Sequence, residues 1–282
     1  MQFPYSVEQI TAVWLTTALR NSGAIGEASV ESFWATRIDG GVMGEVHRLQ
    51  LNYLDATSLG PISIIAKTAL NDQERRRFAD STGVFEREVR FYGELAPLVH
   101  ARTPRVFFSQ YDERSGYCLL LLEDLGQFRS RPQRAGSTFD DACAVMEFAA
   151  GVHADWWGDS RLADYPWLID YAQSQSSDLL RDQIVESEDR FLRIALEYLP
   201  HEFESTFRKL TPRTVELRHH IGNGPTTLTH GDLRLANLFF DDSKVDEDSV
   251  IAVDWQWAGR SRSAIDVAIF IGWSFDVGNR RK

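Results

Sequence analysis

Apolar residues first recur at helical spacing: Val7, Ile10, Trp14, Leu15, Ala18 and Leu19 share one stripe, and Ser6 with Gln9 reads as its capping box. Past Gly23 the period falls to two. Residues 32–38 and 45–54 read as strands around the turn Asp39-Gly40-Gly41-Val42-Met43-Gly44, and residues 62–67 as a third, ending in Lys67. The helical period returns over 84–98, where Phe85, Val89, Tyr92 and Ala96 mark an inward face. Residues 105–111 and 117–122 read as strands joined around Ser115-Gly116, the second apolar until Glu123-Asp124-Leu125-Gly126. From Thr138 a helix begins, with Asp141 completing its cap and Ala142, Val145, Met146, Ala149, Val152, His153 and Trp156 inside. Residues 164–221 read as helical, 238–240 and 249–253 as a hairpin across the acidic turn 241–248, and 264–275 as a last helix.

This succession predicts an α+β, two-lobed chain: a small β-rich N-lobe at 1–126, a polar linker at 127–136 carrying Arg129, Arg131 and Arg134, and a larger helical C-lobe at 137–282. At 282 residues and 43% hydrophobic, the chain can bury a substantial core. No apolar run nears the roughly 18 to 20 residues that span a bilayer, and the N-terminus lacks the marks of a signal peptide, so the expectation is a cytoplasmic protein without membrane contact. The net charge of −11 argues against nucleic-acid binding. Cys118 and Cys143 lie in apolar runs and read as core fillers, and His219-His220 has no metal-ligating partner at suitable spacing. The acids of the 241–248 turn read as a solvated face.

Chemistry concentrates in residues 229–257. His230-Gly231-Asp232 is followed by Asn237, and the run Val250-Ile251-Ala252-Val253 delivers Asp254. Taken alone, the tripeptide also fits a capped surface turn. With Asn237 and Asp254 it supplies a proton acceptor and two oxygen ligands, which is what phosphoryl transfer from a magnesium nucleotide requires. Glu88 lies on the apolar face of its helix, where a carboxylate needs a cation. Lys67 is the expected partner; Glu86 points outward and pairs with Arg90. His153 reads as a hydrogen-bonded structural residue, and Asp266, near a helix start, as a brace for the 230–232 loop.

The motifs GGVMG, LLLEDLG, VHADWW, HGDLRLAN and AVDWQ, with Lys67 and Glu88, occur in an order that resembles the aminoglycoside phosphotransferase and choline kinase-like superfamily. FEREVRFYGELAP, LLLEDL and HADWWG are most similar to its ecdysteroid kinase-like branch. The resemblance spans about residues 30 to 275. It implies a protein-kinase-like fold, ATP with Mg²⁺, and a small-molecule hydroxyl acceptor. Under it, Asp232 is the catalytic base, Asn237 and Asp254 are metal ligands, and Lys67, held by Glu88, grips the phosphates. Gly40, Gly41 and Gly44 belong to the turn over the phosphates, and the main chain of Glu123 and Leu125 to the adenine-binding hinge.

Departures from the pattern are Ala236 before Asn237, an incomplete G-x-G-x-x-G turn, and a chain stopping at Arg280-Arg281-Lys282 where the family continues into further helices, so a C-lobe cut short is also expected. The competing readings are a catalytically silent nucleotide-binding protein, a protein kinase and a metal-dependent hydrolase. The protein kinase lacks HRD, DFG and APE motifs, and the hydrolase leaves Lys67 and Glu88 unexplained. The acceptor itself is not legible.

Overall fold

The computed structural model describes residues 3–38, 44–55, 60–70, 72–171, 176–214, 216–217, 224–244, 246–276 and 278–281. Its first half is an antiparallel sheet of β1 (Val30–Ile38), β2 (Gly44–Tyr53), β3 (Ser63–Ala69), β4 (Val106–Asp112) and β5 (Tyr117–Glu123), in the order β1-β2-β3-β5-β4. Strand alternation divides the apolar residues between two faces. Leu49, Leu51, Ile64, Ala66, Leu119 and Leu121 pack with Leu15, Ala18 and Leu19 of α1 (Ala12–Asn21). Ala69, Cys118, Leu120 and Leu122 face the other way, toward α3 (Val84–Arg90), which follows α2 (Gln73–Thr82). That second core runs on without a break into the C-terminal half, through Phe148, Trp156, Leu233, Leu238 and Trp255.

The C-terminal half carries α4 (Phe139–Asp155), α5 (Ser176–Ala195), α6 (Glu202–Leu210) and α7 (Ala264–Ser274). Two small sheets support its loops. One orders β10 (Val250–Ala252), β9 (Leu238–Phe240) and β6 (Arg129–Ser130); the other orders β7 (Ile169–Asp170), β11 (Gly259–Ser261) and β8 (Thr227–Thr229). No helix among the described residues is long and apolar enough to cross a membrane.

Several expectations are corrected. Ser6 does not cap the first helix: α1 starts later, and the Thr11 hydroxyl accepts from the Trp14 N–H at 3.1 Å. The helix expected over 84–98 is regular only to Arg90 and then passes into a π-type turn (Phe91–Leu95) and a 3₁₀ turn holding Pro97. Residues 164–221 are not helical throughout, because β7 pairs with β11. Cys118 is buried, whereas Cys143 lies on the exposed side of α4. The segment 127–136 is more than a polar linker: Arg129 sits in β6 and binds Asp141 and Asp242, and Arg131 also binds Asp141. The acidic turn is correspondingly less idle than expected, for Asp241 binds Arg102 at 2.7 Å and accepts from Ser243. His219-His220 and Gly40-Gly41 lie outside the described residues.

Candidate active site

Four elements bring their polar residues together where the second core meets the sheet. Period-two alternation puts Lys67 of β3 on the α3 face, beside Ile65 and Ala69. Its Nζ lies 2.6 Å from Glu88 Oε2, 2.8 Å from Glu88 Oε1 and 2.6 Å from Asp254 Oδ1. The Lys67–Glu88 pairing expected from the helical face is thus present, and Asp254 joins it from the far side. The side chains of Lys67, Glu88 and Asp254 are 14%, 2% and 22% exposed.

Burial sets the protonation of this trio. It pulls the Lys67 pKa down, but the two carboxylates outweigh it and hold the ammonium charged. Burial pushes Asp254 up, and the Lys67 charge more than reverses that. Glu88 is left with the deficit: burial raises its pKa above the ordinary value despite Lys67, and the Asp254 charge adds to the rise. Two carboxylates share one cation.

Asp254 is held in an unusual backbone conformation. With φ 68° it is the one non-glycine residue among those described in the left-handed region, a strain that persists where surrounding contacts enforce it. Those contacts are Lys67, the Gln256 amide at 3.2 Å, and the Trp255 ring, which stacks on Phe91 at 4.0 Å between centroids. Arg87, one residue before Glu88, ties α3 to the same segment by donating to the carbonyls of Gln256 (2.7 Å), Trp167 (3.1 Å) and Thr82 (3.0 Å).

The loop holding Asp232 is built from backbone capping. Asp266, at the start of α7, accepts from the N–H groups of His230 and Gly231 at 2.9 Å each and meets His153 Nε2 at 2.9 Å. The His230 Nδ1 accepts from the Asp232 N–H at 3.2 Å, so Nε2 carries the proton and donates to the Val253 carbonyl at 3.0 Å. Gly231 turns with φ 76°, and a Cβ there would collide with the Trp257 carbonyl and the Tyr171 hydroxyl. The Asn237 amide nitrogen donates to the Asp232 carbonyl and to its Oδ2, both at 2.9 Å. That anchoring turns the amide oxygen of Asn237 the other way. The Asn237 backbone carbonyl accepts from Val253 N–H at 2.9 Å, which brings the loop alongside Asp254.

Three participants were not singled out in advance. Arg234 lies two residues past Asp232, and its Nε stands 2.9 and 3.1 Å from the Asp232 oxygens; its charge also bears on Asp254. A cation that close in sequence to a candidate base was the available signal. Asp124, between Glu123 and Leu125, takes Arg48 at 2.6 and 3.0 Å and Ser63 at 2.6 Å, which pins the exit of β5 to β2 and β3. An acid ending an apolar strand pointed to it. Tyr92 was read only as an inward apolar position, although a buried phenol carries a hydroxyl that needs a partner. Of the two hinge positions, Glu123 donates its N–H to the Arg105 carbonyl at 2.8 Å, and Leu125 is buried at 4%. Gly44 opens β2 opposite Ala69; a Cβ there would lie 2.8 Å from the Thr68 carbonyl oxygen, so close strand packing already demands glycine.

Comparison with known proteins places this geometry. No curated protein matches the chain. Among solved structures, a variant of aminoglycoside 2'-phosphotransferase-IIIa bound to GDP is 11% identical, with a TM-score of 0.56 over 94% of this chain and 78% of that one. Choline kinase from Cryptosporidium parvum Iowa II is 12% identical, with a TM-score of 0.54 over 90% of this chain and 67% of the enzyme. A GDP and kanamycin complex of an aminoglycoside phosphotransferase is 14% identical, with a TM-score of 0.53 over 94% and 80%. Identities this low establish the two-lobed kinase-like fold and no more. Residues 40–282 match the ecdysteroid kinase-like family, and across that span the chain belongs to it.

Proposed function

We propose that this protein transfers the γ-phosphate of ATP, bound with Mg²⁺, to a hydroxyl group of a small molecule. The observation that carries the reading is the convergence of Lys67, Glu88 and Asp254 within ion-pair distance, beside a braced loop that presents Asp232 and Asn237. Membership in a kinase-like family, and structural neighbours that are phosphotransferases for aminoglycosides and choline, support it.

The residues present fit the metal. Among the described residues no group of three or more His, Cys, Asp or Glu side chains could hold an ion by itself. Mg²⁺ does not require such a group, since it keeps waters and phosphate oxygens and takes only one or two protein ligands. Asp254 and the oriented oxygen of Asn237 are suited to be those two, and the unbalanced carboxylate of the buried trio calls for a second cation. When bound, the metal neutralises charge on the transferring phosphoryl group. Asp232 accepts the proton of the acceptor hydroxyl. Lys67 grips the α- and β-phosphates, the main chain at Glu123 and Leu125 receives the adenine edge, and the glycine turn with Gly40, Gly41 and Gly44 covers the phosphates. The N-lobe of this reading spans 1–126, the linker 127–136 and the C-lobe 137–282.

Incubating a metabolite extract and pooled hydroxyl compounds with Mg-ATP, and searching by mass spectrometry for new phosphorylated species, tests the reading. The wild type makes a product and names its acceptor class; Asp232→Asn loses at least about 10²-fold in turnover while still binding nucleotide. Near-normal turnover by that variant removes Asp232 from the role. The Arg234 contact on both Asp232 oxygens favours a second reading, a catalytically silent nucleotide-binding protein. Nucleotide binding without a product from any pool selects it.

A further inference from the structure

The buried trio has a fourth polar neighbour to which the reading above gives no task. Tyr92 follows α3 within the π-type turn Phe91–Leu95, and such turns insert a residue into a helix and recur at functional sites. Phe91 stacks on Trp255 there, at 4.0 Å and 8° between planes, and the next residue, Tyr92, lies four positions past Glu88, which puts the two buried side chains on the same helical face. Its ring is 2% exposed, and its hydroxyl oxygen is buried without a hydrogen-bond partner. Buried phenols ordinarily find one. Burial and the Glu88 and Asp254 carboxylates push its pKa well up; the Asp254 backbone N–H points at the same oxygen, so what the hydroxyl lacks is an acceptor for its own proton.

The reason for this idle hydroxyl lies in Lys67. An ammonium group has three protons. Three oxygens surround it, both of Glu88 at 2.6 and 2.8 Å and one of Asp254 at 2.6 Å. Every proton is therefore engaged, and both Glu88 oxygens are drawn to Lys67 rather than to Tyr92. A phosphate oxygen can reach the ammonium only by displacing one of the three. Transfer of Asp254 to a metal frees one proton; a second phosphate contact must take one from Glu88, leaving a buried carboxylate oxygen without a donor.

We infer that Tyr92 is a positioning residue whose hydroxyl donates to the Glu88 oxygen that Lys67 releases on turning to the nucleotide phosphates. Glu88 then stays fixed and Lys67 stays aimed. The inference deepens the nucleotide-binding reading above and rests on it.

Tyr92→Phe tests it, because removing an idle hydroxyl leaves the packing intact. Two measurements are needed, each on wild type and variant: thermal melting of the free protein, and affinity for Mg-ATP by calorimetry. The expected result is a free variant that melts at the same temperature or higher and binds Mg-ATP about tenfold more weakly, the loss of one buried hydrogen bond made only in the complex. A group that served packing alone would not separate these readouts. Equal Mg-ATP affinity in the two proteins overturns the role of Tyr92 and leaves the nucleotide reading standing. A free variant that melts several degrees lower also overturns it, for the hydroxyl is then already bonded without nucleotide. If the wild type binds no Mg-ATP, the nucleotide reading falls, and this inference with it.

Discussion

Two acid clusters in this molecule are built on opposite charge balances. At the turn after β9, Asp141, Asp241 and Asp242 face Arg102, Arg129 and Arg131, three carboxylates against three guanidinium groups. In the buried trio, Glu88 and Asp254 share Lys67 as their one ion-pair partner, while Arg234 is paired with Asp232 and acts on Asp254 only from beyond contact. The proton affinities follow. Hydrogen bonds from Arg102 hold the Asp241 pKa down at about 2, and those from Arg129 hold Asp242 down, whereas burial pushes Glu88 up. The balanced cluster stitches β6, β9 and α4 together and needs nothing more. The unbalanced one is deeper, where a missing counter-charge is most costly. Charge balance and burial thus separate the two regions more sharply than the number of acids does.

The sharpest way to break this contrast is to delete the shared cation. Lys67→Met leaves two buried carboxylates facing each other and is expected to cost about 3–5 kcal/mol in urea denaturation at neutral pH. The cost should shrink toward pH 5, because Glu88, already raised to about 7 beside Lys67, is then protonated when folded and increasingly so when unfolded. A loss under about 1 kcal/mol at neutral pH would show that the acids are neutralised by something else. Next in size is Asp254→Asn, which restores a one-to-one balance. Stability of the free protein should stay within about 1 kcal/mol of wild type or rise, because no buried charge loses its partner. Mg²⁺ should no longer strengthen nucleotide binding in titration calorimetry, and an undiminished Mg²⁺ effect would remove Asp254 from the ligand set.

The smallest effect belongs to the balanced cluster. Asp241 has a folded pKa of about 2 against an ordinary 3.8, so its contribution is complete above about pH 4 and is lost as pH falls toward 2. Asp241→Asn should therefore flatten the stability profile in that window and leave nucleotide binding unchanged. An acid limb as steep as that of wild type would show that Arg102 does not hold this carboxylate.

How far the site could be read in advance depended on whether one element sufficed. Glu88 was placed by the period of its own helix, and Lys67 by its position at the end of a β-rich run; each signal lies within a single element, and their meeting followed from the fold. Asp266 was recognised because capping is local. The Arg129–Asp242 pairing was not foreseen because it joins residues 113 apart, across a strand too short to show any period. Tyr92 was hidden for a related reason. The helical stripe counts it correctly as buried, but the switch from α3 into the π-type turn, which decides what its hydroxyl meets, leaves no mark on apolar spacing.

Arg87 has a mechanical consequence. Two of the carbonyls it holds, those of Trp167 and Gln256, belong to the C-terminal half, so α3 is riveted to that half although it precedes β4 and β5 in the chain. The sheet holds the same helix from the other side, for the Ser109 hydroxyl of β4 donates to the Val89 carbonyl at 2.9 Å, so α3 is a pin common to both halves. Lys67 rides on the sheet and Glu88 on the helix. Their contact is thus a clasp closed beside that pin, joining strand to helix where the two halves share a core.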